Sequence, residues 1–423
     1  MNPVQTPTPN DVGVDGSFAD EAMFEAFAKK RSWEPGWLAE KRRDAWERFR
    51  SLPPTYGKDE RWRFSPRNRL SLTGFSIANG KEIPDPSAIE IKDPDLAAKG
   101  VIHGSLNEVL MNQPDLLKDL ANQSGPNLGA DFVQLLTEAF SEDGMVLRVP
   151  QGVQIEQPIV VRHKAPPTGQ VRFHRTLFVL EEGASATLLE TFHSQEEEDC
   201  SVICSSANVI ARPNAQARRI LLQDLNLKSS FYQLDTNEAH RDAGIRCCSL
   251  HIGSAQSRFE NLAKIAGEGA DLEMLGLAIG SGKQLFDQRT RQLHIAPNGR
   301  SNLLYKNALL DDSKAVFSGL IKVDETAQQT NAYQTNRNLL LSPSAEADSL
   351  PGLEILANEV KCSHGATTGE IDKEQLFYLR SRGIPKNSAE ELLVFGFLEE
   401  VLEGLRNEEL AEILREHIQT KFN

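Results

Sequence analysis

Three kinds of feature are scarce in this sequence: long apolar runs, a surplus of basic residues, and aromatic side chains. No apolar stretch approaches the roughly 20 residues that span a bilayer, which argues against a membrane protein. The net charge of −14 argues against a nucleic-acid-binding protein, because such proteins present a basic face to the phosphates. There are only 5 Tyr and 4 Trp, and the last Trp is Trp62. The remaining chain therefore offers few platforms for stacking on sugars.

Cysteine is scarce as well. The five cysteines do not form the framework of a small disulfide-bonded domain, which fits a reducing compartment. Residues 1–9 hold no basic region followed by an apolar core, so they do not resemble a secretory signal. We expect residues 1–15 to form a disordered tail, and we expect the protein to be cytoplasmic.

Common catalytic motifs are also missing. The sequence contains no Gly-x-Ser-x-Gly elbow and no helical His-Glu-x-x-His site. Residues 280–284, Gly-Ser-Gly-Lys-Gln, match a phosphate-binding loop only in part. The motif needs a glycine where Leu277 stands, and a magnesium-binding Ser or Thr where Gln284 stands. We interpret this stretch as a turn and expect the chain to bind no ATP itself.

The composition that is present, 39% apolar and 25% charged, is typical of a globular protein. Residues 16–144 predict an N-terminal helical domain with a linker, because Phe24, Phe27 and Ala28 recur at helical spacing. From Met145 onward, short strand-like runs alternate with turn residues. We expect residues 145–371 to form a β core.

Turn residues recur at a regular interval in that core. The candidates lie 28 to 31 residues apart within two sets, Gly183, Asn214 and Gly244, and then Gly269, Asn298 and Thr326. Strands that repeat at such a period without crossover helices predict a β-solenoid, in which each coil stacks on the last. A β-sandwich is the main alternative. It would need turns every ~8–12 residues and hairpin dipeptides, which are scarce here.

Residues 372–423 predict a C-terminal helical domain. Asp372 with Gln375 matches a capping box, and so does Ser388 with Glu391. Apolar residues then occupy more than one helix face, so we expect this helix to pack against its own domain and against a partner. The residues assigned to the partner surface are Leu392, Leu393, Phe395, Phe397 and Leu398. We also expect the helical regions to cover the open ends of the solenoid.

Most cysteines and histidines show no spacing typical of a metal site. Cys200 and Cys204 lie about 13 Å apart if they share a strand, too far for a disulfide or a shared metal. Cys247 and Cys248 should face opposite sides of a strand. We interpret all four as core residues. The histidines interpreted as polar strand positions are His163, His174 and His193.

Cys362 and His364 form the exception. Side chains alternate along a strand, so these two residues share one face. A thiolate and an imidazole are both ligands for transition metals. Iron–sulfur clusters and structural zinc usually take four protein ligands, so two are too few and other groups must supply the rest.

The run that starts at Cys362, CSHGATTGEIDKEQLFYLRSRGI, resembles the C-terminal signature of the SufD branch of the SufB/SufD family, scaffold subunits of the Suf iron–sulfur cluster assembly machinery. The match extends upstream through residues 347–355, and weaker similarity covers most of 145–345. Residues 61–64, Arg-Trp-Arg-Phe, resemble the N-terminal region of the family. The SufB branch carries an interface cysteine just ahead of the stretch that matches 351–354. This chain has no cysteine between Cys248 and Cys362, which supports the SufD branch.

The resemblance implies a right-handed parallel β-helix and a non-catalytic role in the SufBCD complex. It places His364 at the interface with SufB, where a SufB cysteine helps to hold the nascent cluster, with Cys362 as a secondary ligand. The cofactor implied is a transient iron–sulfur cluster or iron at that interface. The partners implied are SufB, through late β-helix strands, and the SufC ATPase, through the C-terminal helices. A homodimer in isolation is a further expectation.

Two other functions compete with this interpretation. Many parallel β-helices are polysaccharide lyases or hydrolases, but such an enzyme needs paired carboxylates and aromatic platforms on one solenoid face. A self-contained iron-binding or storage protein is the other alternative. Co-purification with an ATPase and a paralogue would separate cluster assembly from both.

Overall fold

The computed structural model describes residues 19–52, 59–65, 72, 74–78, 89–90, 95–118 and 125–421. The tail predicted for residues 1–15 lies outside this range. In the described part the chain is mainly β, with 43% of residues in strands, and forms a solenoid of about 8 turns with helices on either side in sequence. The predicted β-solenoid is therefore confirmed.

In its described residues the N-terminal region is mostly helical, with three short strands. Its helices α1 and α2 are separated by a turn that ends at Pro35. The bounds are α1 Glu21–Lys30, α2 Gly36–Ser51, a 3₁₀ helix Glu60–Trp62, β1 Ser76–Ile77, β2 Ile89–Glu90, β3 Ile102–Ser105, α3 Leu106–Asn112, α4 Asp115–Lys118 and α5 Asp131–Phe140.

The solenoid gives one strand per coil to each of two sheets. The bounds are β4 Asp143–Val149, β5 Ile159–Lys164, β6 Gln170–Leu180, β7 Ser185–His193, β8 Val202–Ala211, β9 Gln216–Asp224, β10 Ser230–Ala239, β11 Gly244–His251, β12 Gln256–Ile265, β13 Asp271–Gly280, β14 Leu285–His294, β15 Arg300–Leu309, β16 Lys314–Val323, β17 Thr330–Leu340, β18 Glu346–Ile355 and β19 Val360–Glu370. Even-numbered strands from β4 to β18 form the first sheet, and odd-numbered strands from β5 to β19 form the second. Strands of successive coils pair in parallel, which rules out an antiparallel sandwich.

Left-handed backbone recurs once per coil at one corner of the solenoid. The residues with φ between 54° and 69° at this corner are Gly183, Asn214, Asp242, Gly269, Asn298 and Gln329. Gly, Asn and Asp adopt this conformation at the lowest cost, which explains most of these choices. The sequence prediction of a turn was correct at Thr326, where Gln329 has the left-handed backbone, and wrong at Gly244. Gly244 is already the first residue of β11, and Asp242 makes the turn instead. Residues 281–284 form a turn between β13 and β14, as predicted.

An apolar cluster fills one part of the solenoid interior. It extends from Leu147 and Leu188 in the early coils to Leu303 and Phe317 in the later ones, and each of these side chains is buried. Because residues two apart on a strand share a face, strands β4 to β13, β15 and β16 each supply inward side chains to this cluster.

A row of polar side chains fills another part of the interior. In the early coils Arg219 binds Glu190 at 2.7 Å and Asp235 at 2.8 Å. In the later coils uncharged amides replace these ions. Asn307 accepts a hydrogen bond from Gln288 at 3.1 Å and donates one to Asn338 at 2.8 Å. Buried polar groups need such partners, so this row fixes how the two sheets face each other.

The N-terminal region packs on the outer face of the first sheet. Trp62 lies between helix α5 and the sheet, with the Arg258 guanidinium 3.8 Å from its ring centroid. Arg258 is fully buried and ion-paired to Glu260 at 2.7 Å and to Asp287 at 2.5 Å. The Ser65 hydroxyl donates to Asp287 at 2.6 Å. The Arg-Trp-Arg-Phe element is therefore joined to the solenoid by a buried ionic network.

The N-terminal region also closes the first coil. Strand β3 pairs antiparallel with β4, and β2 pairs antiparallel with β5. Leu96 and Val101, 1% and 6% exposed, pack into the same apolar cluster as the interior residues of the first coil. Antiparallel pairing and an apolar plug thus end the parallel stack at this side.

The C-terminal helices pack on the outer face of the second sheet, and their bounds are α6 Lys373–Ser381, α7 Lys386–Gly404 and α8 Glu408–Thr420. Val394, Leu398 and Val401 of α7 join a buried cluster with Leu275 and Cys248 of the sheet. These helices contact the middle strands β13 and β15, so the expectation that they cover the end of the solenoid was wrong. The apolar stripe of α7 matches the apolar outer columns of the second sheet, which holds the helix there.

Helix capping was predicted correctly at one of the two C-terminal sites. Asp372 accepts hydrogen bonds from the backbone N–H groups of Glu374 and Gln375, as an N-cap does. Ser388 does not cap a helix, because α7 begins two residues earlier, after Pro385. None of the helices in the described residues is both long and apolar enough to cross a membrane.

Candidate functional site

The last coil of the solenoid has free strand edges. Strand β18 pairs with β16 and β19 pairs with β17, and neither pairs with another strand on its other side in the described residues. Helix α6, which follows β19, contributes no buried residue, so it does not cover this end. Free edges carry unpaired N–H and C=O groups that another strand can bind.

Cys362 and His364 lie on the inward face of β19. In the parallel register Cys362 lies beside Ala332 and His364 beside Gln334, both of which are buried in the coil beneath. Cys362 is half-buried and packs against the cluster that contains Ala332 and Ala357, whereas His364 is exposed. Burial raises the pKa of the Cys362 thiol. The structure therefore brings the two residues to one face of the open coil.

The facing strand places apolar side chains around the same opening. Leu353 and Ile355 of β18 stand in register with Ile321 and Val323, which are fully buried. In the last coil the corresponding side chains are 39% and 37% exposed. Positions that belong to the interior are thus open to solvent where no further coil covers them.

A layer of hydrogen bonds closes the floor of this opening. The Ser349 hydroxyl donates to the Asn336 side-chain oxygen at 2.7 Å, and the Asn338 amide donates to the Thr368 hydroxyl at 3.2 Å. Ser349 and Thr368 belong to the last coil, so its two strands are tied to the coil beneath. The site is presented by a stiff scaffold, and a thiol and an imidazole are available at its rim.

The other four cysteines lie away from this opening. Cys204 is buried beneath the N-terminal region, Cys247 in the solenoid interior and Cys248 beneath the C-terminal helices. Burial raises the pKa of Cys247 to about 12, so this thiol stays protonated. These three agree with the core interpretation. Cys200 does not, because it precedes β8 in a loop and is exposed.

The predicted partner surface on α7 needs one correction. Leu398 is fully buried against the solenoid, so it belongs to the intramolecular contact. Phe395 and Phe397 are partly buried in the same cluster, and Lys306 lies 4.8 Å from the ring centroid of Phe397. Leu393 is also half-buried, and only Leu392, 53% exposed, is open to a partner.

Helix α6 carries exposed apolar side chains that the sequence interpretation missed. Phe377 is 73% exposed and Tyr378 58% exposed, on a helix without any buried residue. Their signal in the sequence is an aromatic pair within the apolar run Leu-Phe-Tyr-Leu, residues 376–379, on a short helix. With Leu392 they form what we call the α6–α7 surface.

A second group of potential ligands was missed in the solenoid interior. His163, His174 and Glu190 come together although they were interpreted as unrelated or were not considered. They are 11 and 16 residues apart in sequence, about half a coil, so they come from strands that face each other. Half-coil spacing is the signal that would have found them.

By fold, then, the chain is a parallel β-solenoid with one closed and one open end and with helical regions on both outer faces. Residues 162–397 match the family model for the SufBD core domain of the SUF system of FeS cluster assembly, and residues 83–161 match the model for the SufBD N-terminal region. The chain belongs to the SufBD family of iron–sulfur cluster assembly proteins.

Within the family the chain is similar to SufD. It is 31% identical to the iron–sulfur cluster assembly protein SufD of Escherichia coli, over 92% of this chain and 93% of the relative. It is 26% identical to SufD of Bacillus subtilis, over 95% of this chain and 98% of the relative. A SufBD family protein of Synechocystis is 30% identical over 91% of both chains. The resemblance identified from the sequence is confirmed.

Proposed function

We propose that this chain is a non-catalytic scaffold subunit of a SufBCD complex in the cytoplasm. It helps to hold a nascent iron–sulfur cluster, or iron, at an interface with a SufB-type paralogue, and it binds a SufC-type ATPase. The observation that carries the proposal is the last coil, which has free strand edges and presents His364 beside Cys362.

The paralogue would pair with the free edges of β18 and β19. An exposed strand edge is a ready pairing surface, and pairing would also cover Leu353 and Ile355, which are too exposed for interior positions. A chain with the same fold has the matching strand spacing. In its absence, a second copy of this chain is the natural substitute.

The cluster would take its ligands from both chains. His364 and Cys362 supply at most two donors, and clusters usually take four. Imidazole in place of thiolate raises the potential of some clusters and weakens sulfur ligation, which suits a cluster that must leave. His364, the exposed member of the pair, is the better placed of the two to face a partner's thiolate.

The ATPase would bind the α6–α7 surface. Phe377 and Tyr378 of α6 and Leu392 of α7 give an exposed apolar patch, and α7 is fixed to the second sheet by its buried residues. Aromatic side chains in such a patch are typical of interface anchors. ATP is then bound by the neighbour and not by this chain, whose sequence lacks a complete phosphate-binding loop.

The cluster site can be tested by anaerobic co-expression of the complex and reconstitution with iron and sulfide. We expect His364→Ala to lower bound iron and sulfide at least twofold, Cys362→Ser to lower them less, and both variants to elute as intact complexes. The controls are Cys200→Ser, an exposed thiol elsewhere, and His193→Ala. Full loading in the double variant His364→Ala/Cys362→Ser would contradict the proposed site.

The ATPase surface can be tested in the same complex. We expect Phe377→Ser/Tyr378→Ser to reduce co-purification of the ATPase at least tenfold while the paralogue stays bound. The control is Leu227→Ser, an equally exposed leucine in a solenoid turn. Normal ATPase binding by the double variant would refute this part of the proposal without affecting the cluster site.

A further inference from the structure

Three side chains with metal-binding atoms meet in the interior of the first two coils. His163 of β5, His174 of β6 and Glu190 of β7 each offer a ligand atom, and these atoms lie within 4.8 Å of one another. The Nε2 atom of His163 is 3.2 Å from Oε1 of Glu190. The Thr176 hydroxyl donates to the same carboxylate oxygen at 2.6 Å and lies 3.2 Å from Nε2 of His174. His163 therefore presents Nε2 to the carboxylate oxygen, and His174 presents Nε2 to the hydroxyl that donates to that oxygen.

Packing holds the two imidazole rings in this orientation. The ring of Phe192 stacks on His163, with 4.4 Å between ring centroids, and meets His174 edge-on at 6.1 Å. Glu190 is fully buried, whereas His163 and His174 keep 7% and 6% of their surface exposed. The packing thus holds the three side chains in place, and the two histidines lie nearer to solvent than Glu190 does.

The charges around the group favour a cation. Glu190 shares the guanidinium of Arg219 with Asp235, at 2.7 and 2.8 Å. Two carboxylates surround one guanidinium, so one negative charge is left without a fixed positive partner in this ion-pair group. A buried charge without a compensating charge is costly. A cation bound by the two histidines and Glu190 would supply that compensating charge.

We propose that His163, His174 and Glu190 bind one divalent transition-metal ion, such as Zn²⁺, at a site separate from the open end. Two imidazole nitrogens and one carboxylate oxygen form a donor set that such ions take, with the fourth position left to the Thr176 hydroxyl or a water. Ligands at about 2.0–2.1 Å in a tetrahedron are ~3.4 Å apart, so a pair at the 4.8 Å limit must close by about 1.4 Å. Small changes in the two histidine χ angles supply that movement.

The main alternative is a hydrogen-bonded group that takes up a proton instead of a metal. It uses the same contacts but binds no equivalent of metal. The two open-end residues also offer a possible metal site, and they include a sulfur. Ligand type therefore distinguishes the three cases.

The test uses the full-length chain, stripped with a chelator under anaerobic conditions and titrated with Co²⁺ and then Zn²⁺. The background variant is Cys362→Ser/His364→Gln, which removes the open-end donors. We expect this variant to bind one equivalent of Co²⁺, with a d–d absorption band that Zn²⁺ abolishes. Adding His174→Gln should weaken binding at least tenfold. The matched control, His193→Gln, lies three residues from Glu190 but outside the group, and should bind normally.

A second measurement does not depend on variants in the core. X-ray absorption of the Zn²⁺-loaded wild-type chain, with one equivalent of metal, should show nitrogen and oxygen ligands with imidazole scattering and no sulfur. A sulfur ligand, loss of the metal in the background variant, or no binding of Zn²⁺ below about 100 μM would each overturn the proposal. Retention of full affinity by His174→Gln would do the same.

Discussion

The two ends of the solenoid differ in whether their strand edges are paired and their apolar interior is covered. At the first coil, β2 and β3 run antiparallel to the stack and occupy both sheet edges, while Leu96 and Val101 plug the interior. At the last coil, the edges of β18 and β19 are free, and Leu353 and Ile355 remain more than one-third exposed. A stack of parallel coils leaves free strand edges at its last coil, because only a further coil would pair with those edges. One end is completed within the chain, and at the other the strand edges stay free in the described residues.

The polar side chains of the solenoid interior also differ between the two ends. The early coils hold the ion pairs of Arg219 with Glu190 and Asp235, and the late coils hold amides such as Asn307 and Asn338. A buried ion needs complete pairing, which a closed interior can guarantee. Amides can bind either water or a protein group, so they suit an end whose strand edges are free in the described residues.

The largest expected effect concerns the network that joins the N-terminal region to the first sheet. Arg258→Met should lower the free energy of unfolding by about 3–5 kcal/mol, because it removes the charge that compensates buried Glu260 and part of that on Asp287. Urea denaturation followed by tryptophan fluorescence measures this loss, since Trp62 lies under the guanidinium.

The matched control for this prediction is at the open end. Lys322 binds Glu354 at 2.6 Å, but the two side chains are 32% and 46% exposed. Lys322→Met should cost less than about 1 kcal/mol, as exposed ion pairs do. Equal losses in the two variants would mean that the N-terminal region is not held by this network.

A smaller effect is expected for apolar residues at the two ends of the solenoid interior. Leu96→Ala should lower the free energy of unfolding by about 2–3 kcal/mol, because it opens a cavity in the plug of the first coil. Leu353→Ala, at the open end, should cost less than about 1 kcal/mol in the isolated chain. Chemical denaturation of both variants measures the difference. A large loss in Leu353→Ala would show that the isolated chain already covers this end, for instance as a homodimer.

Much of the fold could be predicted from the sequence, because it depends on local chemistry. Residues that tolerate left-handed backbone mark the corners, and five of the six predicted turn positions lie in turns, including Gly183 and Asn298. Where the helices pack could not be predicted. The apolar faces of α7 show that this helix must pack against another surface. They do not show that this surface is the outer face of the second sheet.

The site was predictable only in part, for a related reason. Strand alternation places Cys362 and His364 on one face, and the structure agrees. Leu398 was assigned to a partner because hydrophobicity alone cannot tell an intramolecular contact from an intermolecular one. His163, His174 and Glu190 were missed because their proximity depends on which strands face each other across a coil, so their half-coil spacing becomes informative only once the coil length is known.

The smallest expected effect at pH 7 concerns His251, whose titration at lower pH reports how dry the closed interior is. His251 is 1% exposed, lies between the rings of Phe231 and Phe259, and has no hydrogen-bond partner on either ring nitrogen within the described part of the chain. Burial lowers its pKa to about 4, against about 6.5 for an unfolded histidine. Above pH 6.5 both states are neutral. Between pH 6.5 and 4 the unfolded chain takes up a proton that the folded chain does not, so stability falls as the pH falls.

Replacing His251 with leucine should remove this proton linkage. The pH dependence of the free energy of unfolding between pH 6.5 and 4 should weaken by up to about 1.4 kcal/mol per pH unit, with little change at pH 7. Part of the dependence should remain, because burial also lowers the pKa of His294 to about 4. Urea titrations at pH 4.5, 5.5 and 7 measure the slopes. Identical slopes for the variant and the parent chain would mean that water reaches His251, and that the middle of the solenoid is as open as its last coil.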